Sequence, residues 1–595
     1  MLKLNSNLMK EIDIKQLIES KSSDFFEKKA AFVNKFILFA LAKFLKLNEI
    51  NKFIRENHSV HGIEFISRLF DTLGFSYSIS DRDKRKIPAE GKVIIVANHP
   101  LGGLDGLALV KAVQEIRPDV RIVANDLLMK VENLSEVFLP LDIYSISGQK
   151  SQIAAIEQAL LNEEAVIIFP SGKVSRLTMQ GIRDLKWQNG ATKFSTKMSA
   201  PILPIFIHGR NTLLFYFSAF LHDMLGMFML PSELFRHKDK VITLIVGDLI
   251  PANSFKSLKP KVQAKLLLQH TYKIGANKNG NFVTEKTVIH PIDTRLIKKE
   301  LQNNELLGHT FDGKKIYLVD YAHANNVLKE ISRLREVTFR KVGEGTGKTY
   351  DMDIYDLYYK HIVLWDEETL DIVGSYRLGI TSEILKQFGK NGLYNSSQFA
   401  LNEGFDEILT QSIEVGRSFI QQKYWKSNAL DYIWQGIGAF LIRRPEIKYL
   451  WGAVSISDSY SDLAKGLIIG YYKKWYGGEK SWAEPVYEYS TPEKYLSEIA
   501  SVLTANNHVD DFKNLKQALK NLNFSVPVLF RRYTELCEYG GSWFVSWCID
   551  VNFNNSIDGL IILDMTTLKE DAKKRYYNQK SFVNNSTGKV LEMAG

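Results

Sequence analysis

Residues 92–106 read KVIIVANHPLGGLDG, and the change of character inside that stretch decides the fold. VIIVA is an unbroken apolar run, too short for a helix and without a polar residue to face water, so it predicts a strand buried on both faces. Asn-His-Pro-Leu-Gly-Gly ends that strand, and a helical pattern begins at Leu107. Further along, GLALVKAVQEI, VRIVAN, AVIIFPSG, ILPIFIHG and VITLIVGDLIP repeat the alternation up to residue 251. Short strand-like runs separated by helix-length segments predict an α/β domain with a largely buried sheet.

The chain is 595 residues long, and at roughly 100–200 residues per domain that implies several domains. A content of 45% hydrophobic and 24% charged residues is that of a folded chain and excludes disordered and polytopic membrane classes. With only Cys537 and Cys548, neither a disulfide framework nor a cysteine-rich metal site is expected, and the expected compartment is a reducing cytoplasm. Lys and Arg number 76 against 67 Asp and Glu, a net +9, which favours anionic surfaces such as headgroups, an acidic carrier protein or nucleic acid without choosing among them. Residues 1–30 mix Glu11, Asp13, Glu19, Asp24 and Glu27 with lysines, so no signal peptide is expected. Residues 31–47 are interrupted by Lys35, Lys43 and Lys46, and residues 212–230 by His222 and Asp223. Neither reads as a span; each is an amphipathic helix facing either a core or a membrane interface.

The polar stretch KIGANKNGNFVTEK at 273–286 reads as a linker. In a second block from about Ile289, HIVLWD and IVGSYRL flank a turn at 367–371. IEVGRSFI and LWGAVSIS read as strands with a helix over 428–443 between them, and GLIILDM near 560 returns to strand character. The tail after about Lys573 is polar and expected to fray.

A histidine at a strand end with a carboxylate nearby is suited to general-base work, the carboxylate orienting and stabilising the ring. His99 and Asp105 fit that pattern, with Gly102 and Gly103 letting the chain bend between them. A second strand ends in Phe169-Pro170-Ser171-Gly172-Lys173-Val174-Ser175-Arg176, and a third in Ile207-His208-Gly209-Arg210. Three such ends describe one edge of a sheet where a ligand binds. Together these blocks resemble the glycerolipid acyltransferase family of the lysophosphatidate acyltransferase type, over about 60–255. The resemblance implies that His99 deprotonates an acceptor hydroxyl while Asp105 orients it, and that the alkoxide attacks an acyl thioester. It also implies substrate contacts at Asn98, Gly172, Lys173 and Arg176. General-base assistance of this kind is worth about 100- to 10,000-fold. Two departures stand out. Five residues separate His99 from Asp105 where the family has four, and Ser171 and Val174 occupy the places of its Glu and its phosphate-binding Arg. The forms NHPLGGLDG and FPSGKVSR resemble instead the branch that O-acylates lyso-aminolipids.

Residues 343–349, GEGTGKT, imitate a phosphate loop, but Val342 stands where its first glycine belongs and YDMDIYD follows in place of a helix. An exposed glycine loop is the better reading. Around it lie Arg335 and Phe339, Asp351 and Asp353, Arg377-Leu378, and Glu414-Val415-Gly416-Arg417. An amine acceptor must lose a proton, and the thioester carbonyl must be polarised. The series resembles GNAT-like N-acyltransferases that place a 3-hydroxyacyl group on the α-amine of an amino acid, chiefly ornithine, and more distantly the acyl-homoserine lactone synthases. Glu414 is then the candidate for amine deprotonation or orientation. Asp351 and Asp353 are candidates to hold a cationic amino acid, and Arg377 and Arg417 to meet its carboxylate or position the acids.

The whole resembles the bifunctional ornithine lipid synthases. The fold class expected is α/β: a glycerolipid-acyltransferase-like domain with a helical N-terminal extension, then a GNAT-like α/β domain. The division expected is a helical, membrane-associating segment over 1–60, an O-acyltransferase domain over 61–275 and an N-acyltransferase domain over 290–575. No metal or bound cofactor is implied; the acyl donor is an acyl-carrier-protein thioester or acyl-CoA. Partners implied are acyl-carrier protein, ornithine or another amino acid such as glycine, and the inner face of the cytoplasmic membrane, with no nucleic acid. The alternatives are a phospholipid or lysophospholipid acyltransferase with a non-catalytic GNAT-like domain, and an acyl-homoserine-lactone-type synthase.

Overall fold

Val93–Ala97 is a strand whose five residues are all buried, and the two directions in which its side chains point explain the unbroken apolar run. Val93, Ile95 and Ala97 enter one core with the helices Gly62–Leu73 and Gly103–Gln114, while Ile94 and Val96 enter another with Gly148–Leu161 and Pro260–Gly275. Helices cover both faces, as a mostly parallel sheet requires. The computed structural model describes residues 46–124, 131–140, 148–221, 223–479 and 482–577. The chain divides into two units, Met1–His290 and Pro291–Gly595.

The strands of the first unit are β1 (Ser76–Ile79), β2 (Val93–Ala97), β3 (Val120–Ala124), β4 (Phe138–Pro140), β5 (Ala165–Ile168), β6 (Arg176–Thr178), β7 (Gly181–Arg183), β8 (Ile202–His208) and β9 (Val241–Val246). The sheet order is β1-β9-β8-β2-β5-β3-β4, with β6 and β7 a separate hairpin. Strands β8, β2 and β5 are adjacent and parallel, so their carboxyl ends, which carry the three motifs, lie side by side. Helix α1 (Gly103–Gln114) begins at Gly103 rather than at Leu107. The difference arises because Gly102 turns the chain at φ 94° and Asp105, in the first turn, accepts the N–H groups of Leu101 and Gly102 at 2.9 and 3.3 Å. Residues 212–230 fall in two helices, α2 (Leu213–Leu221) and α3 (Asp223–Arg236).

The polar stretch at 273–286 is packed onto the first unit rather than hanging free. The helix Pro260–Gly275 runs into it, the Asn281 N–H donates to His270 Nδ1 at 2.9 Å, and Glu285 forms a β-bridge with Leu249. Its polar groups find partners on the helix and at the sheet edge, which composition does not reveal. Of the apolar segment at 31–47, residues 31–45 lie outside the described residues.

The second unit has β10 (Glu305–His309), β11 (Lys315–Val319), β12 (Lys360–Asp366), β13 (Asp371–Ile380), β14 (Phe399–Leu401), β15 (Ser412–Ile420), β16 (Tyr449–Ile456), β17 (Ala483–Pro485), β18 (Ser542–Asp550) and β19 (Ser556–Asp564). Its main sheet has the order β10-β11-β12-β13-β15-β16-β19-β18, and β14 pairs with β17 apart from it. Helix α4 (Asn325–Val342) packs with Tyr317, Val363 and Trp365 on one face. Helices α5 (Ala429–Ile442) and α6 (Asp462–Tyr476) pack with Ile316, Ile362 and Leu364 on the other. Order continues past Lys573, because helix Glu570–Tyr576 is held by the Tyr576 hydroxyl donating to Asp431 at 2.8 Å. Residues 578–595 lie outside the described residues.

Among the described residues, the only parallel pair in this sheet is also its opening. Ser412, Ile413 and Glu414 of β15 pair with Tyr449, Leu450 and Trp451 of β16, after which the two strands part. Beyond Glu414, β15 is free on that side to meet a ligand, and its register with β13 shifts between Ser375 and Arg377, an extra residue that marks a bulge.

Candidate active sites

In the first unit His99 follows β2 directly, with its side chain 19% exposed, and its Nδ1 lies 3.0 Å from Oδ1 of the fully buried Asp105. The extra residue between them does not part them, because the positive φ of Gly102 folds the intervening loop back. A Cβ on Gly102 would also come within 3.0 Å of the Leu230 side chain. The Nδ1–Oδ1 contact is an ion-pair contact rather than an aligned hydrogen bond. Phe169, at the end of β5, lies 4.2 Å from the imidazole, centroid to centroid, and fixes the ring plane. With Nδ1 turned to the carboxylate, Nε2 is left to take a proton. Burial alone would push the imidazole pKa down; the Asp105 carboxylate, aided by Asp184, outweighs it and holds the pKa above the ordinary 6.5.

Asp184 escapes a reading of the sequence. It accepts the His99 N–H at 3.2 Å, the Ser175 hydroxyl at 2.6 Å and the Trp187 indole at 2.8 Å. Burial raises its carboxyl pKa against those donors. Its partner His99 lies 85 residues away in sequence, so no local pattern marks it. Ser175 in turn donates its N–H to the His99 carbonyl at 2.7 Å, which brings the Phe-Pro block to His99. Lys173 is exposed and Arg176 half-buried on either side of that link, Arg176 standing 5.6 Å over the Phe215 ring. Gly172 lies exposed at the turn. Asn98 braces the sheet: its side-chain amide donates to the Ile207 carbonyl at 3.0 Å and accepts the Ile207 N–H at 2.7 Å.

In the second unit the bulge decides the site. Residues three apart on a regular strand face opposite ways, yet Glu414 and Arg417 meet around Tyr394. Glu414 accepts the N–H groups of Tyr394 and Asn395 at 3.1 and 2.7 Å, the Asn395 side-chain amide at 2.7 Å, and the Tyr359 hydroxyl. Arg417 stands 4.7 Å over the Tyr394 ring and 4.7 Å over Phe553. The re-aiming puts Arg417 at φ 51°, a strained position for a residue with a side chain. Burial raises the Glu414 pKa although four donors oppose it, and raises Tyr359 far above its ordinary 10.

Behind them runs a buried ionic network. Arg335 holds Asp356 by two hydrogen bonds of 3.0 and 2.7 Å, and its Nε is 3.2 Å from Asp351. Arg377 donates to Asp353 at 2.6 Å and to Asp356 at 3.2 Å. Arg417 lies 3.4 Å from Asp351 and 3.6 Å from Asp353. Burial would raise Asp356, but Arg335 and Arg377 hold it well below the carboxylate range. Burial pushes His361, 3.5 Å from Asp356, down to about 3, leaving it neutral. The negative charge that the sequence reserves for a cationic substrate at Asp351 and Asp353 is thus met inside the protein by arginines. Phe339 is buried edge-on to Phe553 at 5.2 Å. Asp356, Tyr359 and Asn395 are further residues that sequence reading missed.

The glycine loop at 343–349 is tied down rather than simply exposed. Thr346 and Gly347 give their N–H groups to the buried Glu336 carboxylate at 3.2 and 2.9 Å, so amides that would cradle a phosphate already hold an anion. In the same loop, burial raises the Glu344 pKa to about 7, with Ser455 of β16 as its hydrogen-bond partner. Asp558, in register with Ser455, is raised well above its ordinary value by burial, with Asp550 and Glu344 adding repulsion. Among the described residues no group of three or more His, Cys, Asp or Glu is arranged to hold a metal.

Strand ends carrying a His–Asp pair in one unit, and a parted parallel strand pair lined by acids and arginines in the other, are suited to acyl transfer. Family comparison agrees: a model described as Acyltransferase matches residues 24–274, and one described as Acetyltransferase (GNAT) domain matches 334–435. The protein is an acyltransferase. It is 30% identical over 311 residues to the glycine N(alpha)-acyltransferase of Phocaeicola vulgatus, a match covering 50% of this chain and 93% of that protein. The chain belongs to the glycine N(alpha)-acyltransferase family. It is also 28% identical over 271 residues to the lyso-glycine lipid O-acyltransferase of the same organism, covering 44% of this chain and 95% of that one. Among solved structures, the 1-acyl-sn-glycerophosphate acyltransferase PlsC of Thermotoga maritima matches at 15% identity, covering 41% of this chain and 88% of that one, with a TM-score of 0.25.

Proposed function

We propose that this chain performs both acylations of an aminolipid. The second unit N-acylates an amino acid with a 3-hydroxyacyl group, and the first unit esterifies the new hydroxyl. The observation that carries the proposal is the presence in one chain of a His99–Asp105 pair at 3.0 Å and a Glu414–Arg417 pair at the parting of β15 and β16, since the product of the second site is the acceptor of the first. Relatives named for the two steps, acting on glycine and on lyso-glycine lipid, support it.

In O-acylation, His99 Nε2 takes the acceptor proton as the oxygen attacks the thioester carbon. The imidazolium, stabilised by Asp105, then returns the proton to the departing thiolate as the C–S bond breaks. Val174 stands where a phosphate-binding Arg would be, buried in an apolar cluster with Phe215 and Met229, which favours an acceptor without a phosphate. In N-acylation, Glu344, beside the parting strand β16 with Ser455 as its hydrogen-bond partner, takes the proton as the amine nitrogen attacks the thioester carbon and returns it to the departing thiolate as the C–S bond breaks, a role that suits a carboxyl held at about 7 by burial. Glu414, surrounded by donors, orients Tyr359 and the 394–395 backbone, and Arg417 meets the substrate carboxylate. Neutralisation of Asp351 and Asp353 by arginines favours a small neutral amino acid, glycine first, over ornithine. The donor is an acyl-carrier-protein thioester, attracted by the net +9 charge, and the enzyme works at the inner face of the cytoplasmic membrane.

Expression in a host without aminolipids, followed by lipid mass spectrometry, tests this. Monoacyl and diacyl glycine lipids are expected. New phospholipid species alone, or a released lactone, would refute it.

A further inference from the structure

Helix α2, LLFYFSAFL, contains no charged residue, and its polar side-chain groups are the Tyr216 and Ser218 hydroxyls, the latter turned back onto the Leu214 carbonyl at 2.8 Å. Phe215, Tyr216 and Ala219 are buried beneath it, while Leu213, Phe217 and Phe220, spaced as one helical face, are 81%, 62% and 85% exposed. A helix without charge that buries one apolar side and exposes another belongs inside a core or against lipid. The hairpin of β6 and β7, which packs beside α2, presents Leu177 and a fully exposed Met179. Two independent elements therefore expose large apolar side chains together, beyond the scattered exposure of an ordinary surface.

The charge on the two stretches themselves has one sign. Residues 171–183 and 208–221 contain Lys173, Arg176, Arg183 and Arg210 and not one carboxylate. The patch also adjoins the catalytic base: Ser175, immediately before β6, donates its N–H to the His99 carbonyl at 2.7 Å, and Leu230 of α3 packs on the Gly102 turn.

We infer that α2 and the β6–β7 tip form the surface by which the first unit docks on an anionic lipid bilayer, with Leu213, Phe217, Phe220, Leu177 and Met179 entering the headgroup–acyl boundary. Apolar burial supplies the affinity, and the cations select anionic headgroups. Resting on the proposed function, this docking gives the acceptor a reason to reach His99 without crossing water: its hydroxyl sits on a chain already in the bilayer, and the docked face lies against the strand ends. Among the described residues no helix is long and apolar enough to cross a membrane.

The test uses the full chain and its Phe217→Ser/Phe220→Ser variant, with flotation on vesicles of phosphatidylethanolamine and phosphatidylglycerol and on vesicles of phosphatidylcholine alone. The wild type should bind the anionic vesicles more tightly and lose binding as salt rises, about fivefold for each cation engaged. The variant should bind at least about tenfold more weakly, from the loss of two buried rings. Its melting temperature and its activity on a detergent-dispersed acceptor should be unchanged, while its activity on a vesicle-borne acceptor should fall with binding. Equal vesicle binding by the two proteins overturns the inference. So does a lower melting temperature, which would mean that this chain's own residues cover the face, or a dimer that the substitution dissociates, which would mean that a second copy does. If binding falls as expected but neither protein O-acylates a lyso-aminolipid, the proposed function fails and the docking surface stands.

Discussion

Glu414 and Arg417 lie three residues apart on β15 and still address the same residue, Tyr394: the carboxylate takes its N–H at 3.1 Å and the guanidinium covers its ring at 4.7 Å. The bulge that begins at Arg417 permits this. Replacing Gly416 cannot test the point cleanly, but Glu414→Gln can, since it keeps the shape and turns an acceptor into a donor that faces N–H groups. N-acylation should fall about 100-fold or more, with a stability cost of about 1–3 kcal/mol from mismatched buried groups. Steady-state kinetics and thermal unfolding read the two effects separately.

The proposed base in the first unit should report its neighbours in a pH profile. His99 must be neutral to act, and its pKa is held above 6.5 by Asp105 and Asp184 against burial. kcat/KM for O-acylation should therefore rise with pH through that elevated value. Asp105→Asn removes the larger raising influence, so the midpoint should move to lower pH while the plateau drops by about 100- to 10,000-fold. An unmoved midpoint would show that the titrating group is not His99.

Glu344 should govern the acid limb of the other reaction. With its carboxyl raised to about 7 by burial, N-acylation should gain rate as pH passes through neutrality, and Glu344→Gln should abolish that limb along with most of the activity. Retention of the limb would move the role of base to another group.

The buried network should matter to stability before it matters to rate. Removing one partner of a buried, hydrogen-bonded ion pair costs about 3–5 kcal/mol, so Asp356→Ala, which takes away the carboxylate that Arg335 and Arg377 share, should lower the unfolding temperature markedly. Arg335→Lys should also lower it, because an ammonium cannot make the two-toothed contact with Asp356. Calorimetry of the variants checks both.

The strand ends of the first unit were legible because an apolar run followed by Gly, Pro and His is a local signal, and parallel neighbours bring such ends together. The start of α1 was misplaced by four residues because the turn depends on the positive φ of Gly102 and on capping by Asp105, neither of which shows in hydrophobic periodicity. Glu414 and Arg417 were readable only through resemblance, since period-two alternation sets them on opposite faces and the bulge overrides it. Asp184, Asp356, Tyr359 and Asn395 stayed hidden for another reason: their partners come from remote parts of the chain, and a lone acid or tyrosine is locally indistinguishable from a surface one. The stretch at 273–286 misled because its polar groups are satisfied by the helix and sheet edge against which it packs.

One measurement bears most directly on two sequential acylations by one chain: the lipid profile of an aminolipid-free host expressing folded His99→Ala. The monoacyl aminolipid should accumulate and the diacyl product should vanish, with Glu414→Gln depleting both. Loss of both products in His99→Ala, or persistence of the diacyl lipid, would contradict the assignment of O-acylation to the first unit and N-acylation to the second.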